Sequence, residues 1–477
     1  MTTSSGSAPG ASGSRQTTSA KAIGVAVAAA VGGFLFGFDS SVINGAVEAI
    51  EGEFSLTPFL SGFAVACALL GSAVGAWFAG PMADRYGRIR VMLVAAVLFL
   101  VSALGSGLAF SVWDLIVWRI VGGLAIGVAS VIAPAYIAEI SPAHVRGRLA
   151  SLQQLAIVSG IFVALLSDAL FANLAGSAAN PFWFGLEAWR WMFLAEAVPA
   201  VVYGVLALRI PESPRYLVAR GELDRAGGVL REVLSLRSAE SVQEKVESIQ
   251  ESLRREQKPS LSDLRGQRLG LRPIVWAGIL LSVFQQFVGI NVIFYYSTSL
   301  WRSVGFSEEN SLTYSVINSL VNLLSTFVAI AIVDKVGRKP MLLGGSAGMT
   351  VTLAVMAVCF NQAVGSGEDV TLPGAYGTIA LIAANLFVVS FAVTWGPVVW
   401  VLLGEMFPNW LRAAALAVAA AAQWIANFLI TVTFPVLAAL SLTLAYGLYA
   451  LFALISGLFV WRAIEETKGK ELEEMRA

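Results

Sequence analysis

Asp39 lies within FGFDSSVING (36–45), inside an apolar run from Ile23 to about Ala46. A charge at the centre of a bilayer helix costs about 2.5–3.5 kcal/mol even on lenient insertion scales, so this carboxylate needs a task or a partner. Arg119 has the opposite sign and lies near the start of another apolar run. If the two runs cross a membrane in opposite directions, both charges lie about 10 Å below the outer surface, at 1.5 Å per residue. That matched depth is the arrangement expected of a buried pair. Amides form the second set: Gln153, Gln154, Gln285, Gln286, Asn291, Asn318, Asn322, Gln423 and Asn427, with Trp395 and Trp424 beside them. An amide donates and accepts at once, which suits either a neutral hydroxyl-bearing solute or hydrogen bonds between packed helices. No His/Cys/carboxylate cluster has metal-ligand spacing and no nucleophile stands with a base, so an enzyme is not expected.

The elements that carry these residues follow from composition. Of 477 residues, 57% are hydrophobic and 13% charged, with a mean hydropathy of +0.75, half the usual charge of a soluble domain. Apolar windows of about 20 residues predict twelve spans, near 22–46, 59–79, 91–110, 113–138, 150–172, 190–210, 273–300, 312–333, 341–362, 376–405, 412–438 and 441–463. The fold class is all-α membrane protein. Residues 1–20 are rich in Ser, Thr and Gly and read as a disordered tail. Residues 21–214 and 271–464 form six-span halves, 215–270 an intracellular stretch of short amphipathic helices, and 465–477 a cytoplasmic tail. Cys67 and Cys359 fall in apolar spans, where a buried thiol is expected rather than a disulfide.

Charge orients the chain. With both termini cytoplasmic, only Arg119, Arg190 and Arg302 of the 31 Lys and Arg residues fall outside cytoplasmic segments, as the positive-inside rule demands. The halves repeat. GPMADRYGR (80–88) is echoed by IVDKVGR (332–338), EISPAHVRG (139–147) by EMFPNWLRA (405–413), IPESP (210–214) by IEETK (464–468), and GFD (37–39) by GIN (289–291). Four echoes at offsets of 250–266 residues mark a duplicated six-helix unit. Two such bundles facing across a cavity suit the movement of a solute by alternating access.

The motif between spans 2 and 3, with its partner DKVGRK, resembles the signature of the major facilitator superfamily. PESPRYL (211–217), FQQFVGINVIFYY (284–296), WGPVVW (395–400) and AAQWIAN (421–427) narrow the resemblance to sugar porters, and most to bacterial proton-coupled glucose and xylose permeases. The family's fold implies twelve helices in two pseudo-symmetric bundles. The chain departs from the family's pattern at Arg412-Ala413, where Arg-Gly is common, and at EETKGK (465–470), where a Pro often precedes.

The resemblance assigns roles. Asp39 is the proton carrier and Arg119 its partner. Desolvation favours the neutral acid and the guanidinium the carboxylate, so such a group can load a proton. Gln154, Gln285, Gln286, Asn291, Asn322, Trp395, Gln423 and Trp424 match sugar-contacting positions, with Phe36 and Tyr295 as aromatic walls or gates. Asp84, Arg85, Arg88, Glu139, Arg146, Glu212, Arg215, Asp334, Arg338, Glu405 and Arg412 all fall at cytoplasmic helix ends. In the family such residues pair between neighbouring helices and between bundles, closing the inner side. The expected function is proton-coupled uptake of a monosaccharide, D-glucose first and xylose or another aldose next, across the cytoplasmic membrane. The expected working unit is a monomer, with no cofactor beyond protons. A facilitative uniporter would not need Asp39, and a sugar sensor would need a longer cytoplasmic extension. Residues Gln286 and Asn291 lie about 140° apart on a straight helix, so a break at Gly289 is predicted. A second interruption is predicted at Trp395-Gly396-Pro397.

Overall fold

Inside a bilayer a backbone amide finds its partner only within its own helix, so long apolar segments become helices. The computed structural model describes residues 20–141, 146–234, 236, 238–255, 264–266, 270–365 and 371–467, and the side chains of Arg146 and Asp334 lie outside what is described. Among the described residues, twelve helices are long and apolar enough to cross a membrane. In chain order, the first six are Ala20–Phe54, Pro58–Tyr86, Arg88–Gly107, Val112–Ile140, Arg146–Ala175 and Ala188–Arg209. The second six are Pro273–Arg302, Glu308–Val336, Arg338–Phe360, Tyr376–Met406, Asn409–Leu440 and Leu442–Ala463. They are called spans 1 to 12 below. Spans 2, 4, 8 and 12 begin with a hydroxyl cap: Thr57, Ser111, Ser307 and Ser441 each accept the N–H three residues on, satisfying a donor the first turn leaves open.

Three spans are interrupted. Span 7 breaks where predicted. Gly289 takes a left-handed φ of 81°, which only glycine adopts without strain, and a Cβ there would stand 2.7 Å from the Tyr449 ring. Span 10 contains a π-type turn at Phe391–Trp395 just ahead of Pro397. The break of span 6 at Glu196, between Ala188–Ala195 and Ala197–Arg209, was not foreseen. Span 1 also continues to Phe54, beyond the expected end near Ala46.

Span 2 packs on spans 4 and 11, and span 5 on spans 1 and 8. The halves meet where 2 packs on 11 and 5 on 8, a pair of interfaces that the internal duplication exchanges, and where span 1 packs on span 7. Large apolar side chains such as Trp77, Phe110, Leu208 and Trp461 stay exposed, as a lipid-facing surface requires. Within 215–270, three helices, Pro214–Ala219, Leu223–Leu234 and Ala239–Arg255, are described. They share a small core of Leu217, Val218, Ala226, Leu230, Val242 and Val246, in keeping with the amphipathic pattern.

Candidate functional site

Asp39 and Arg119 meet. The Arg119 guanidinium donates both to an Asp39 carboxylate oxygen and to the Asp39 carbonyl, the latter at 2.9 Å. The two residues are 0% and 2% exposed, so each charge relies on the other in place of water. The second carboxylate oxygen, Oδ2, has no hydrogen-bond partner among the described residues. Gly122 leaves the room it occupies, since a Cβ there would meet both Asp39 Oδ2 and Ser102. On the other side, the Phe193 ring lies 5.8 Å from the guanidinium.

A third charge joins the pair. Glu196, at the break in span 6, is buried and lies within electrostatic reach of Asp39 and Arg119. Neither it nor the buried Asp168 of span 5 was singled out from the sequence. Both carry the same signal as Asp39, an acid inside an apolar run, FLAEAVPAV and ALLSDALF.

The break in span 7 assembles the amides. Asn291 donates to the Gln286 side-chain oxygen at 2.6 Å, joining two residues that a straight helix would point apart. Gln286 in turn donates to Gln285 at 3.4 Å. The Gln285 amide donates to the carbonyls of Trp395 at 3.0 Å and Gly396 at 3.3 Å. Irregular backbone in span 10 is thus satisfied by a side chain of span 7. Tyr295 lies against Ser40 of span 1 and Asn427 of span 11, and the Phe36 and Trp424 rings approach to 6.0 Å between the same spans. Spans 1, 7, 10 and 11 therefore converge on one region. Gln423 is half-buried with its side-chain oxygen unpartnered, Gln154 is half-buried, and Asn322 is buried on span 8.

One expected contact is corrected. Trp395 is 0% exposed and its indole N–H donates to the Leu342 carbonyl and the Ser346 hydroxyl, each at 3.0 Å. Its ring packs the C-terminal half and offers no face to a solute. Trp400, five residues on, is 45% exposed. Gln153 and Asn318, read from the sequence as interhelical hydrogen-bonding residues, carry buried amides with no partner among the described residues.

The charges expected at the cytoplasmic helix ends form two matching clusters. In the first half, Arg88 pairs with Glu139 at 2.9 Å and Asp84 at 3.2 Å, while Glu212 accepts the N–H groups of Arg88 and Ile89. In the second half, Arg338 pairs with Glu405 at 2.8 Å, and Glu466 accepts the N–H groups of Arg338 and Lys339. Glu466 occupies the place of Glu212 in the repeat and was missed as a functional residue. Arg412 donates to the Phe407 carbonyl, the Arg85 guanidinium stands over the Tyr86 ring, and Arg215 is half-buried. Each contact named here stays within its own half, and the expected ties between bundles are not among them. The short helix Pro214–Ala219 braces the first cluster, with Ser213 bonded to Glu139 and Arg220 donating to the Arg85 carbonyl at 2.5 Å.

Bonds between the halves lie at the other end. Asn44 of span 1 donates to the Phe294 carbonyl and the Ser297 hydroxyl, each at 2.9 Å. It accepts from the Thr298 hydroxyl at 2.6 Å and the Thr298 N–H at 3.2 Å. Arg302 pairs with Glu48 at 2.7 Å, and Glu308 accepts the Ser177 hydroxyl at 2.8 Å and the Ala178 N–H at 2.7 Å. The outer end is closed.

The family described as "Sugar (and other) transporter" matches residues 25–477. The chain is 58% identical to a glucose transport protein of Synechocystis sp. over 98% of its own length and all of the relative's. It is 36% identical to the D-xylose-proton symporter of Escherichia coli K12, over 97% of this chain and 96% of the relative. Among solved structures, the partially occluded inward-open xylose transporter XylE of E. coli superposes with a TM-score of 0.81 at 34% identity, covering 95% of this chain and 100% of that one. The proton:xylose symporter XylE bound to 6-bromo-6-deoxy-D-glucose gives 0.75 at 35% identity, covering 96% and 99%.

Proposed function

This chain belongs to the sugar porter family of the major facilitator superfamily, and from that premise we propose that it carries D-glucose into the cell together with a proton. It is a multi-pass membrane protein acting as a monomer, with both termini in the cytoplasm. The observation that carries the coupling is the Asp39–Arg119 pair, sealed from water with one carboxylate oxygen unbonded. A passive carrier of a neutral sugar has no need of a buried ion pair, whose desolvation is costly.

In the outward-facing state Asp39 takes a proton from outside. Protonation removes its charge and weakens the hold of Arg119, and Glu196 is the remaining acid close enough to keep the guanidinium. Span 1 is then free to settle against span 7 through Asn44. Sugar hydroxyls replace the mutual hydrogen bonds of Gln285, Gln286 and Asn291, with Gln154, Asn322 and Gln423 completing the polar lining and Phe36, Tyr295 and Trp424 the apolar walls. The closed outer end and the greater likeness to an inward-open relative support reading this conformation as inward-facing. The energetics suffice: one proton moving down 100 mV supplies about 2.3 kcal/mol, enough to hold a roughly fiftyfold sugar gradient.

The test is purified protein in liposomes, with internal pH followed as glucose is added outside. Glucose should acidify the interior and xylose should do so more weakly. Asp39→Asn should abolish accumulation against a gradient while leaving sugar exchange intact. Accumulation by Asp39→Asn would mean that Asp39 does not carry the proton, and glucose entry with no proton would leave a uniporter.

A further inference from the structure

Asp168 belongs to neither the Asp39–Arg119 pair nor the amide cluster. It is 0% exposed and lies seven residues, about 10 Å, below the outer end of span 5. Its Oδ2 accepts the Gly45 N–H at 3.2 Å, while Oδ1 has no hydrogen-bond partner among the described residues. Charged residues stand on the spans packed against span 5: Asp39, Glu48 and Glu53 on span 1, Arg119 on span 4, Arg190 and Glu196 on span 6 and Glu308 on span 8. Arg119 pairs with Asp39 and Arg190 with Glu53 and Glu187, and among the described residues no cation pairs with Asp168. Gly45 makes the close seat possible, because a Cβ there would meet the Asp168 side chain at 2.6–2.9 Å.

The position links this acid to the outer gate. Gly45 follows Asn44, the residue that bonds span 1 to span 7 four times. With Asn44 bonded to span 7, as here, the carboxyl is buried between spans 1 and 5. A carboxylate sealed there would be an unpaired buried charge, the arrangement proteins avoid. We propose that Asp168 is a second proton-binding site, loaded from the outside, whose protonation accompanies closure of the outer gate. The carboxylate gains one proton from external water, forming an O–H bond, and no other bond changes. The inference does not rest on Asp39 carrying the transported proton.

The test reads the gate rather than transport. Spin labels at Gly52→Cys and Ser303→Cys report the separation of spans 1 and 7 in the full chain, in lipid discs without sugar; the two natural cysteines are buried. The closed form binds the additional proton, so the closed-to-open ratio rises as pH falls. In the Asp39→Asn protein it should still rise, by up to about tenfold per pH unit, and adding Asp168→Asn should cut this to under about twofold. The same slope in both proteins, or no slope in Asp39→Asn alone, would overturn the proposal. Infrared spectra give a second reading. Acidifying the Asp39→Asn/Glu196→Gln protein should raise a carboxylic-acid C=O component that Asp168→Asn removes, and a band unchanged by that substitution would also defeat the idea.

Discussion

At the outer end Asn44, Glu48 and Glu308 reach from one half of the molecule to the other; at the inner end Glu139, Glu212, Glu405 and Glu466 bind arginines and amides of their own half. The inner clusters are copies. Arg88, Glu139 and Glu212 recur as Arg338, Glu405 and Glu466, and each trio closes on a short loop beside it. The outer contacts are not copied. The repeat partner of Asn44 is Tyr296, whose hydroxyl stays in its own half, donating to the Thr431 carbonyl at 3.1 Å. Duplicated polar residues hold each half rigid, and the unduplicated ones decide which end is shut.

Four substitutions would break or sharpen this contrast. The largest effect is expected from Asn44→Ala. It removes four hydrogen bonds between the halves, at about 1 kcal/mol each. The open-outward population should rise at least about tenfold, read by labelling of outer-cavity cysteines. Next comes Gly289→Ala, which puts a Cβ at positive φ against Tyr449 and costs about 1–3 kcal/mol. Thermal stability should fall and glucose affinity with it, because Asn291 no longer meets Gln286. Third is Glu308→Ala, which releases Ser177, Ala178 and part of Arg302. A partly exposed site of this kind is worth about 1 kcal/mol, so outward opening should rise several-fold, less so in high salt. Smallest is Glu405→Gln, which weakens a pair inside one half. It should lower the melting temperature by a few degrees yet shift inner-cavity accessibility by less than about twofold. A large shift there would mean that the inner clusters also bridge the halves in another state.

Asp39 and Arg119 were legible as a pair because both are expensive in lipid and equally deep. The break at Gly289 was legible as well, since two amides five residues apart on one helix cannot share a face without it. Glu196 and Asp168 carried the same signal as Asp39 but drew no notice beside the repeated motifs. Trp395 misled for a different reason. It stands in the motif, yet it lies within the π-type turn of span 10 and is buried, while Trp400 at the other end of the motif is exposed.

The number of spans and the duplication were decided by the residues alone. Transfer of a side chain between water and lipid depends on its type and its near neighbours, and so does the preference of arginine for the cytoplasmic side. What only the tertiary structure decided was the rotation of each helix and the partner of each polar group. Those depend on where a span breaks and which span lies across from it, and the same residues Glu, Arg and Asn can serve a contact within one half or between two.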